Sequence, residues 1–194
     1  MLREFAVFDI EGTLLNNKKL YRKIRKELFD LKIHSLLSRL YFKVFRGSCK
    51  VDGLIYDFFE GIDEKKPKLF NGVRPVLENF SERRIKLFAS TGSKVLKAKE
   101  KLEQAGILGF FELVLGREIP KAGHIPLFAC HLRVTLEEFS SKAVYIGDEP
   151  RDMILAKRFG LYAIGITNTV RERILKDAGA DEIVENFEEL MKFI

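Results

Sequence analysis

The chain has 194 residues, of which 46% are hydrophobic and 32% are charged, and its formal net charge at pH 7 is +6. This length suits one full core with a small additional domain, and the composition excludes a long disordered tract. No apolar run approaches the ~18 residues of a membrane span, and the N-terminus lacks the layout of a secretion signal. The two cysteines, Cys49 and Cys130, match no metal-binding spacing. We therefore expect a cytoplasmic protein without membrane association.

The positive charge is concentrated in one stretch. Residues 15–50 contain eleven Lys or Arg residues and two acidic residues, so the remainder of the chain carries a net charge of −3. A basic region of this kind steers anionic ligands or binds nucleic acid without sequence preference. The alternative is a solvated helix face, and the charge pattern alone leaves these readings open.

From residue 84 onward, apolar segments of strand length alternate with amphipathic segments of helix length. The first strand is expected at 5–8, and further strands at 85–90, 111–115, 143–146, 161–166 and 183–184. Helices are expected at 94–105, 125–132, 150–159, 170–178 and 187–194. This alternation predicts an α/β fold with right-handed βαβ units and a mainly parallel sheet of five or six strands, covered on both faces.

Residues 15–70 interrupt that alternation. Apolar residues recur there at helical spacing with basic residues between them, as in Leu20, Ile24, Leu28 and Leu31. We therefore interpret 15–70 as a helical domain inserted after the first strand, and 1–14 with 71–194 as the core domain.

Two carboxylates follow the first strand directly. Asp9 and Glu11 are two residues apart, and side chains at that spacing on a regular strand would point to opposite faces. Gly12 and Thr13 indicate instead that the backbone turns sharply and brings both carboxylates to one side. One carboxylate can then act as a nucleophile or metal ligand while the other moves protons.

Further polar groups follow later strands, at the sheet edge where ligands bind in open parallel sheets. They are the hydroxyl-rich turn 90–93, the loop residue Lys121, and Asp148 and Asp152 in the segment 147–152. Asp9 and Asp148 offer hard oxygen ligands for magnesium. Thr91 and Lys121 offer a neutral donor and a cation for phosphate oxygens, so the set suits phosphoryl transfer.

These clusters together resemble the motifs of the haloacid dehalogenase superfamily, most of whose members are magnesium-dependent phosphatases. The matching segments are Asp9-Ile10-Glu11-Gly12-Thr13, Thr91, Lys121, and Gly147-Asp148 with Asp152. The resemblance covers the whole chain. It implies a Rossmann-like three-layer α/β/α core with strand order 5-4-1-2-3, and a small helical cap at residues 15–70.

The resemblance also implies roles for individual residues. Asp9 would attack phosphorus and form an aspartyl-phosphate, and Glu11 would be the acid/base residue. Mg²⁺ would be bound by Asp9, Asp148 and the main-chain carbonyl of Glu11. In addition, Asp152 would orient water or Lys121 from behind these ligands, and the phosphoryl group would be bound by Thr91, Gly92 and Lys121.

Glu11 departs from the pattern, because most phosphatases of this superfamily have Asp there. The Asp-Ile-Glu-Gly-Thr spelling resembles enolase-phosphatases of methionine salvage, whereas the segment 147–152 follows the commoner phosphatase form. Three alternatives to a simple phosphatase therefore stay open: an enolase-phosphatase, a sugar-phosphate mutase, and a catalytically weak binding protein. His124, near Lys121, is a lesser candidate for substrate contact.

The expected partner is a small phosphorylated metabolite. We expect no membrane or nucleic-acid partner, and the sequence leaves the oligomeric state open between monomer and dimer.

Overall fold

The first strand is buried on both faces, and this determines the layering of the fold. The computed structural model describes residues 3–16 and 67–194. In β1 (Phe5–Phe8), Ala6 and Phe8 pack into one hydrophobic cluster, whereas Phe5 and Val7 pack into another. Since successive side chains of a strand point to opposite faces, the sheet is covered on both sides.

The described strands form one six-stranded parallel sheet. After β1 come β2 (Lys86–Ser90), β3 (Phe111–Leu115), β4 (Ala143–Gly147), β5 (Tyr162–Ile166) and β6 (Glu182–Val184). All pairings are parallel, and the spatial order is β3-β2-β1-β4-β5-β6. The predicted fold class is confirmed. Read from the other edge, the observed order is 6-5-4-1-2-3. It therefore contains the predicted order 5-4-1-2-3 and adds β6 next to β5.

Helices cover the two faces of this sheet. One face is covered by α1 (Val73–Glu82), α2 (Val95–Gln104) and a C-terminal 3₁₀ helix (Phe187–Lys192). The other is covered by α3 (Lys121–Leu132), α4 (Leu136–Lys142), α5 (Pro150–Arg158) and α6 (Glu172–Asp177). A short 3₁₀ turn (Leu108–Phe110) precedes β3. The predicted three-layer α/β/α arrangement is therefore confirmed.

Several element boundaries differ from the sequence-based expectations. Helices α1 and α4 were not predicted, and the expected helix at 187–194 is a 3₁₀ helix that ends at Lys192. Helix α3 begins at Lys121 instead of residue 125, although Gly123 and Pro126, which both disfavour a helix interior, lie within it. Helix α4 has a side-chain cap, since Thr135 Oγ1 accepts a hydrogen bond of 3.1 Å from the Glu138 amide.

The predicted cap, residues 15–70, lies outside the described residues except at its two ends. Those ends are hydrogen-bonded side by side: the Asn16 amide donates to Lys68 O over 2.7 Å, and the Phe70 amide donates to Leu14 O over 3.1 Å. Leu15 and Leu69 form an antiparallel bridge between them. The chain therefore leaves the core and returns to it at one point. None of the helices in 3–16 and 67–194 has the length and hydrophobicity needed to cross a bilayer.

Candidate active site

The ends of β1, β2 and β4 bring the predicted polar residues to one edge of the sheet. Phe8 pairs with Ala89 on one side and with Ile146 on the other, so Asp9 follows β1 level with the ends of both neighbours. The Asp9 amide extends this register by donating to Ile146 O over 2.9 Å. Because these strands are parallel, their carboxyl ends share this edge, as the sequence predicted.

Lys121 lies between two of the predicted carboxylates. Its Nζ is 2.6 Å from Asp9 Oδ1 and 2.8 Å from Asp152 Oδ1. The Lys121 side chain is 19% exposed, compared with 8% for Asp9 and 1% for Asp152. At such burial an unpaired charge would be costly, so the ammonium group and the two carboxylates stabilise one another.

Three carboxylates in this cluster could bind a divalent cation. One oxygen from each of Asp9, Asp148 and Asp152 lies within 4.8 Å of the others. In addition, Asp152 Oδ2 is buried and has no hydrogen-bond partner among the described residues. A buried carboxylate oxygen normally has a partner, so this atom is consistent with a ligand that the protein itself does not supply. Hard oxygen donors are the ligands that Mg²⁺ prefers, so the cluster fits the predicted ion.

Burial and neighbouring charge act in opposite directions on Asp9. Burial raises the pKa of Asp9 well above its usual value, although Lys121 acts to lower it; Asp152 and Asp148 add to the rise. For Lys121, burial alone lowers the pKa, but Asp152 and Asp9 outweigh it and hold the pKa well above the usual value. Lys121 is therefore a cation throughout the physiological pH range, and additional positive charge at the site would favour the ionised form of Asp9.

Asp148 is the most tightly hydrogen-bonded of the three carboxylates. Its Oδ1 accepts a bond of 2.7 Å from Thr13 Oγ1, and its Oδ2 accepts a short bond from Thr169 Oγ1. Burial raises the pKa of Asp148 to about 6, against the lowering effect of these two hydroxyls. Ionised Asp148 therefore costs folding free energy in the protein without a cation.

This cost gives a pH-dependent prediction for Asp148→Asn. Between the ordinary pKa of 3.8 and the folded-state value of about 6, the folded protein binds more protons than the unfolded chain. The free energy of unfolding of the wild type therefore falls as pH rises through this window, by on the order of 3 kcal/mol from this group. The variant lacks that contribution, so we expect its stability relative to wild type to be higher at pH 7.5 than at pH 4.

Urea unfolding in the presence of EDTA measures this difference at both pH values. Asp177→Asn changes an exposed carboxylate on α6, with its side chain 72% exposed, and is the control for the substitution itself. An Asp148→Asn difference that is equal at pH 4 and pH 7.5 would contradict the prediction.

The Glu11 side chain extends towards the turn after β2. Its Oε2 accepts a hydrogen bond of 2.5 Å from Thr91 Oγ1, and its Oε1 accepts one of 2.8 Å from Ser93 Oγ. Lys101 Nζ, on α2, is 3.4 Å from the same Oε1. Glu11 thus engages two hydroxyls of the predicted turn 90–93, together with Lys101, which was not predicted.

The two adjacent hydroxyls of this turn, Ser90 and Thr91, have different surroundings. Ser90 Oγ is fully buried, 2.8 Å from His124 Nδ1, and accepts a bond of 3.2 Å from the Tyr145 hydroxyl. His124 Nε2 faces the carbonyls of Gly116 (3.1 Å) and Ile119 (3.0 Å), so we assign the ring proton to Nε2. Thr91 instead contacts Glu11, so of these two hydroxyls it is the one that lies beside the predicted acid/base residue.

The same contacts show how His124 is held in the structure. Its side chain is fully buried, both ring nitrogens have partners, and burial lowers its pKa. A neutral imidazole in this position joins the turn after β2 to the loop that precedes Lys121. The structure therefore gives His124 a role in that loop, and not the substrate contact considered from the sequence.

Three polar residues at the site were missed by the sequence analysis: Lys101, Asn168 and Thr169. Ser93, by contrast, lies within the predicted hydroxyl turn 90–93. The three missed residues approach the site through tertiary contacts, and only the Thr-Asn-Thr run after β5 at 167–169 indicated a polar loop at the same sheet edge. Gly92, which was predicted to bind the phosphoryl group, lies in the turn 90–93 between Thr91 and Ser93. Metal binding by the main-chain carbonyl of Glu11 stays a prediction.

Similarity to known proteins agrees with this geometry. Residues 6–166 match the family described as haloacid dehalogenase-like hydrolase. A curated relative from Thermotoga maritima, named phosphorylated carbohydrates phosphatase, is 23% identical over 94% of both chains. Among solved structures, a predicted phosphatase from Clostridium acetobutylicum has a TM-score of 0.79 at 22% identity, covering 100% of this chain and 98% of that one. A candidate β-phosphoglucomutase from Thermotoga maritima has a TM-score of 0.73 at 21% identity, covering 98% and 97%. The chain belongs to the haloacid dehalogenase-like hydrolases, and the sequence-based assignment to a phosphatase-like member of this superfamily is confirmed.

Proposed function

We propose that the protein is a magnesium-dependent phosphatase that hydrolyses a small phosphorylated metabolite through an aspartyl-phosphate on Asp9. The observation that carries this proposal is the contact between buried Asp9 and Lys121 at 2.6 Å, in a cluster that also contains Asp148 and Asp152. A carboxylate beside one permanent cation and two metal-ligand candidates has the parts that phosphoryl transfer needs.

Asp9, Asp148 and the main-chain carbonyl of Glu11 are the proposed Mg²⁺ ligands. Asp152 Oδ2 is the further buried oxygen at the site and would accept a hydrogen bond from a water molecule on the ion. When bound, Mg²⁺ would offset negative charge on the transferring phosphoryl group.

Asp9 is the proposed nucleophile. Lys121 engages its Oδ1, so we assign attack on phosphorus to Oδ2. The new bond joins this oxygen to phosphorus as the bond from phosphorus to the ester oxygen breaks. Lys121 also reaches Asp152 at 2.8 Å, which fixes the direction of its ammonium group. Its charge acts to lower the pKa of Asp9, although burial has the larger effect and raises it, so Mg²⁺ at the site would further favour the ionised form that attacks phosphorus.

Glu11 is the proposed proton carrier. As a carboxylic acid it would give its proton to the departing ester oxygen, and as a carboxylate it would then take a proton from the water that attacks the aspartyl-phosphate. That second step releases inorganic phosphate and restores Asp9. Thr91, Gly92 and Lys121 would contact the phosphoryl oxygens during both steps.

Thr91 connects these two roles. Its hydroxyl has one hydrogen, which it gives to Glu11 at 2.5 Å. Donation to a phosphate oxygen therefore requires Glu11 to release Thr91. We propose that phosphate binding exchanges this partner and frees the Glu11 carboxyl group to face the ester oxygen.

Phosphorylated carbohydrates are the first substrate class to test, because the curated Thermotoga maritima relative that covers 94% of the chain carries that name. We propose that the predicted cap, residues 15–70, selects among such substrates, since the resemblance to the superfamily gives this role to the cap. This segment departs from the core only a few residues after Glu11, at the Leu15–Leu69 bridge. We also propose a cytoplasmic location.

Metal dependence is the direct test of this function. Purified protein should release phosphate from p-nitrophenyl phosphate with Mg²⁺, should lose this activity with EDTA, and should regain it when Mg²⁺ is added in excess. A panel of sugar phosphates and other phosphate esters, assayed for inorganic phosphate, then ranks substrates and separates hydrolysis from transfer to a second sugar. A folded protein that releases no phosphate with Mg²⁺ across the panel would contradict the proposal.

A further inference from the structure

The loop between β5 and α6 carries two polar side chains that reach across to the active-site loops. Asn168 Nδ2 donates to the main-chain oxygens of Gly12 (3.0 Å) and Thr13 (3.3 Å). The Thr169 hydroxyl contacts Asp148 twice, at the side-chain Oδ2 and at the main-chain oxygen 3.2 Å away. A hydroxyl has one hydrogen, and Oδ2 is the closer oxygen, so we assign this donation to the carboxylate.

The Asp148 carboxylate is consequently bound from both sides. Thr13 donates to Oδ1 over 2.7 Å, and Thr169 donates to Oδ2. These two bonds fix the rotation of the carboxylate plane and leave one lone pair on each oxygen for another partner. Gly12 packs against the same group, because a side chain there would collide with Asp148 Oδ2. The plane of this carboxylate is therefore determined by three neighbours from two separate loops.

Asn168 restrains the main chain of the loop after β1 through hydrogen bonds. The carbonyl oxygens of Gly12 and Thr13 only accept hydrogen bonds, so the side-chain nitrogen of Asn168 must face them. These carbonyls directly follow Glu11, whose own carbonyl is a proposed metal ligand. Gly12 has a φ of +87°, a conformation that glycine adopts readily and other residues rarely do, and the two bonds from Asn168 hold the carbonyls of this turn in place.

We propose that Asn168 and Thr169 are positioning residues for magnesium binding, with Thr169 orienting the Asp148 carboxylate and Asn168 fixing the carbonyl-bearing turn after Asp9. This inference rests on the proposed function, because it concerns the same metal site. Asp148 is 1% exposed, whereas Thr169 lies at the surface, so substitution of Thr169 removes the hydrogen bond without opening the core. Losing a hydrogen bond to a metal ligand typically costs 10- to 100-fold in metal affinity.

Thr169→Val is the test, because valine keeps the shape of threonine and lacks the hydroxyl. Isothermal titration of Mg²⁺ into the metal-free full-length protein should give a roughly 10- to 100-fold weaker dissociation constant than for wild type. Thr169→Ser restores the donor and should restore most of the affinity. The matched control is Thr167→Val in the same loop, whose hydroxyl donates to Val184 O over 3.5 Å and points to β6; it should bind Mg²⁺ as wild type does.

A second measurement separates positioning from simple destabilisation. The Mg²⁺ concentration for half-maximal phosphate release should rise for Thr169→Val, while turnover at saturating Mg²⁺ should change little and circular dichroism in EDTA should show a folded protein. Asn168→Ala should weaken Mg²⁺ binding in the same direction. Wild-type affinity in both Thr169→Val and Asn168→Ala would overturn this inference alone. Absence of Mg²⁺ binding by the wild-type protein would overturn the proposed function and this inference with it.

Discussion

Asp9→Asn is expected to abolish phosphate release. An amide is a poor nucleophile and a weak metal ligand, so the variant loses both the covalent step and one bond to the ion. Removal of a covalent nucleophile from a catalytic group costs roughly 10⁴- to 10⁶-fold in turnover. The loss should be the same for every substrate in the panel, because the step is common to all of them. Inorganic phosphate release at saturating Mg²⁺ measures it.

Stability measurements show that such a loss comes from chemistry and not from unfolding. Burial raises the pKa of Asp9, so the ionised carboxylate costs folding free energy, and its replacement by a neutral amide should leave the metal-free protein at least as stable. Lys121 keeps its second carboxylate partner, Asp152, at 2.8 Å. Asp177→Asn on α6 should retain full activity. Substantial turnover by folded Asp9→Asn would place the nucleophile elsewhere.

Much of this arrangement could be predicted because the motifs follow parallel strands. The resemblance to the superfamily made β1 and β4 neighbours, and their ends pair in register, so Asp9 and Asp148 lie close together as predicted. Lys121 was predicted from its position in the loop after β3, and it lies 2.6 Å from Asp9. Local signals also existed for the two helices that were not predicted: the apolar spacing of α1, and Thr135 with Glu138 at the start of α4.

Other contacts could not be read from the chain because they depend on side-chain direction across long sequence separations. Thr169 contacts Asp148 from a loop 21 residues away, and Asn168 contacts Gly12 over 156 residues. Lys101 is one of several lysines on α2, and only the packing of that helix brings its ammonium group to Glu11. The spacing of polar residues in the sequence does not distinguish these residues from ordinary surface residues.

The side chain of Glu11, which is longer than that of Asp, reaches the hydroxyl groups of the turn after β2. Relative to Asp, the added methylene extends the carboxylate until it accepts hydrogen bonds from Thr91 at 2.5 Å and Ser93 at 2.8 Å. The side chain is only 7% exposed, and Lys101 approaches it at 3.4 Å. These three donors keep the carboxylate at the expected phosphate site instead of in solvent. In the proposed mechanism, the extra length therefore makes the proton carrier Glu11 also a competitor for the Thr91 hydroxyl.

Glu11→Asp tests the competition. A side chain one methylene shorter should lose contact with Thr91 and Ser93, so Thr91 becomes available to phosphate oxygens without an exchange of partners. We expect turnover to be retained or raised on small substrates, and KM for these substrates to fall. Inorganic phosphate should also inhibit the variant at lower concentration than wild type. Unchanged KM and unchanged phosphate inhibition would show that Glu11 does not compete for Thr91.

Glu11→Gln tests the proton transfer. The main-chain carbonyl is unchanged, so Mg²⁺ binding measured by titration should be nearly unaffected, whereas turnover of alkyl phosphates should fall by ~10²- to 10⁴-fold. The loss should be smaller for p-nitrophenyl phosphate, whose leaving oxygen needs little protonation, although hydrolysis of the aspartyl-phosphate still needs the base.

Glu100→Gln on α2, with its side chain 53% exposed, is the control and should behave as wild type. Glutamine can accept a hydrogen bond at its amide oxygen from one of the two hydroxyls, Thr91 or Ser93, and donate from its amide nitrogen to the oxygen of the other, so the variant can keep the position of the side chain while it loses the ability to carry a proton. Wild-type turnover of alkyl phosphates by Glu11→Gln would therefore exclude Glu11 as the acid/base residue.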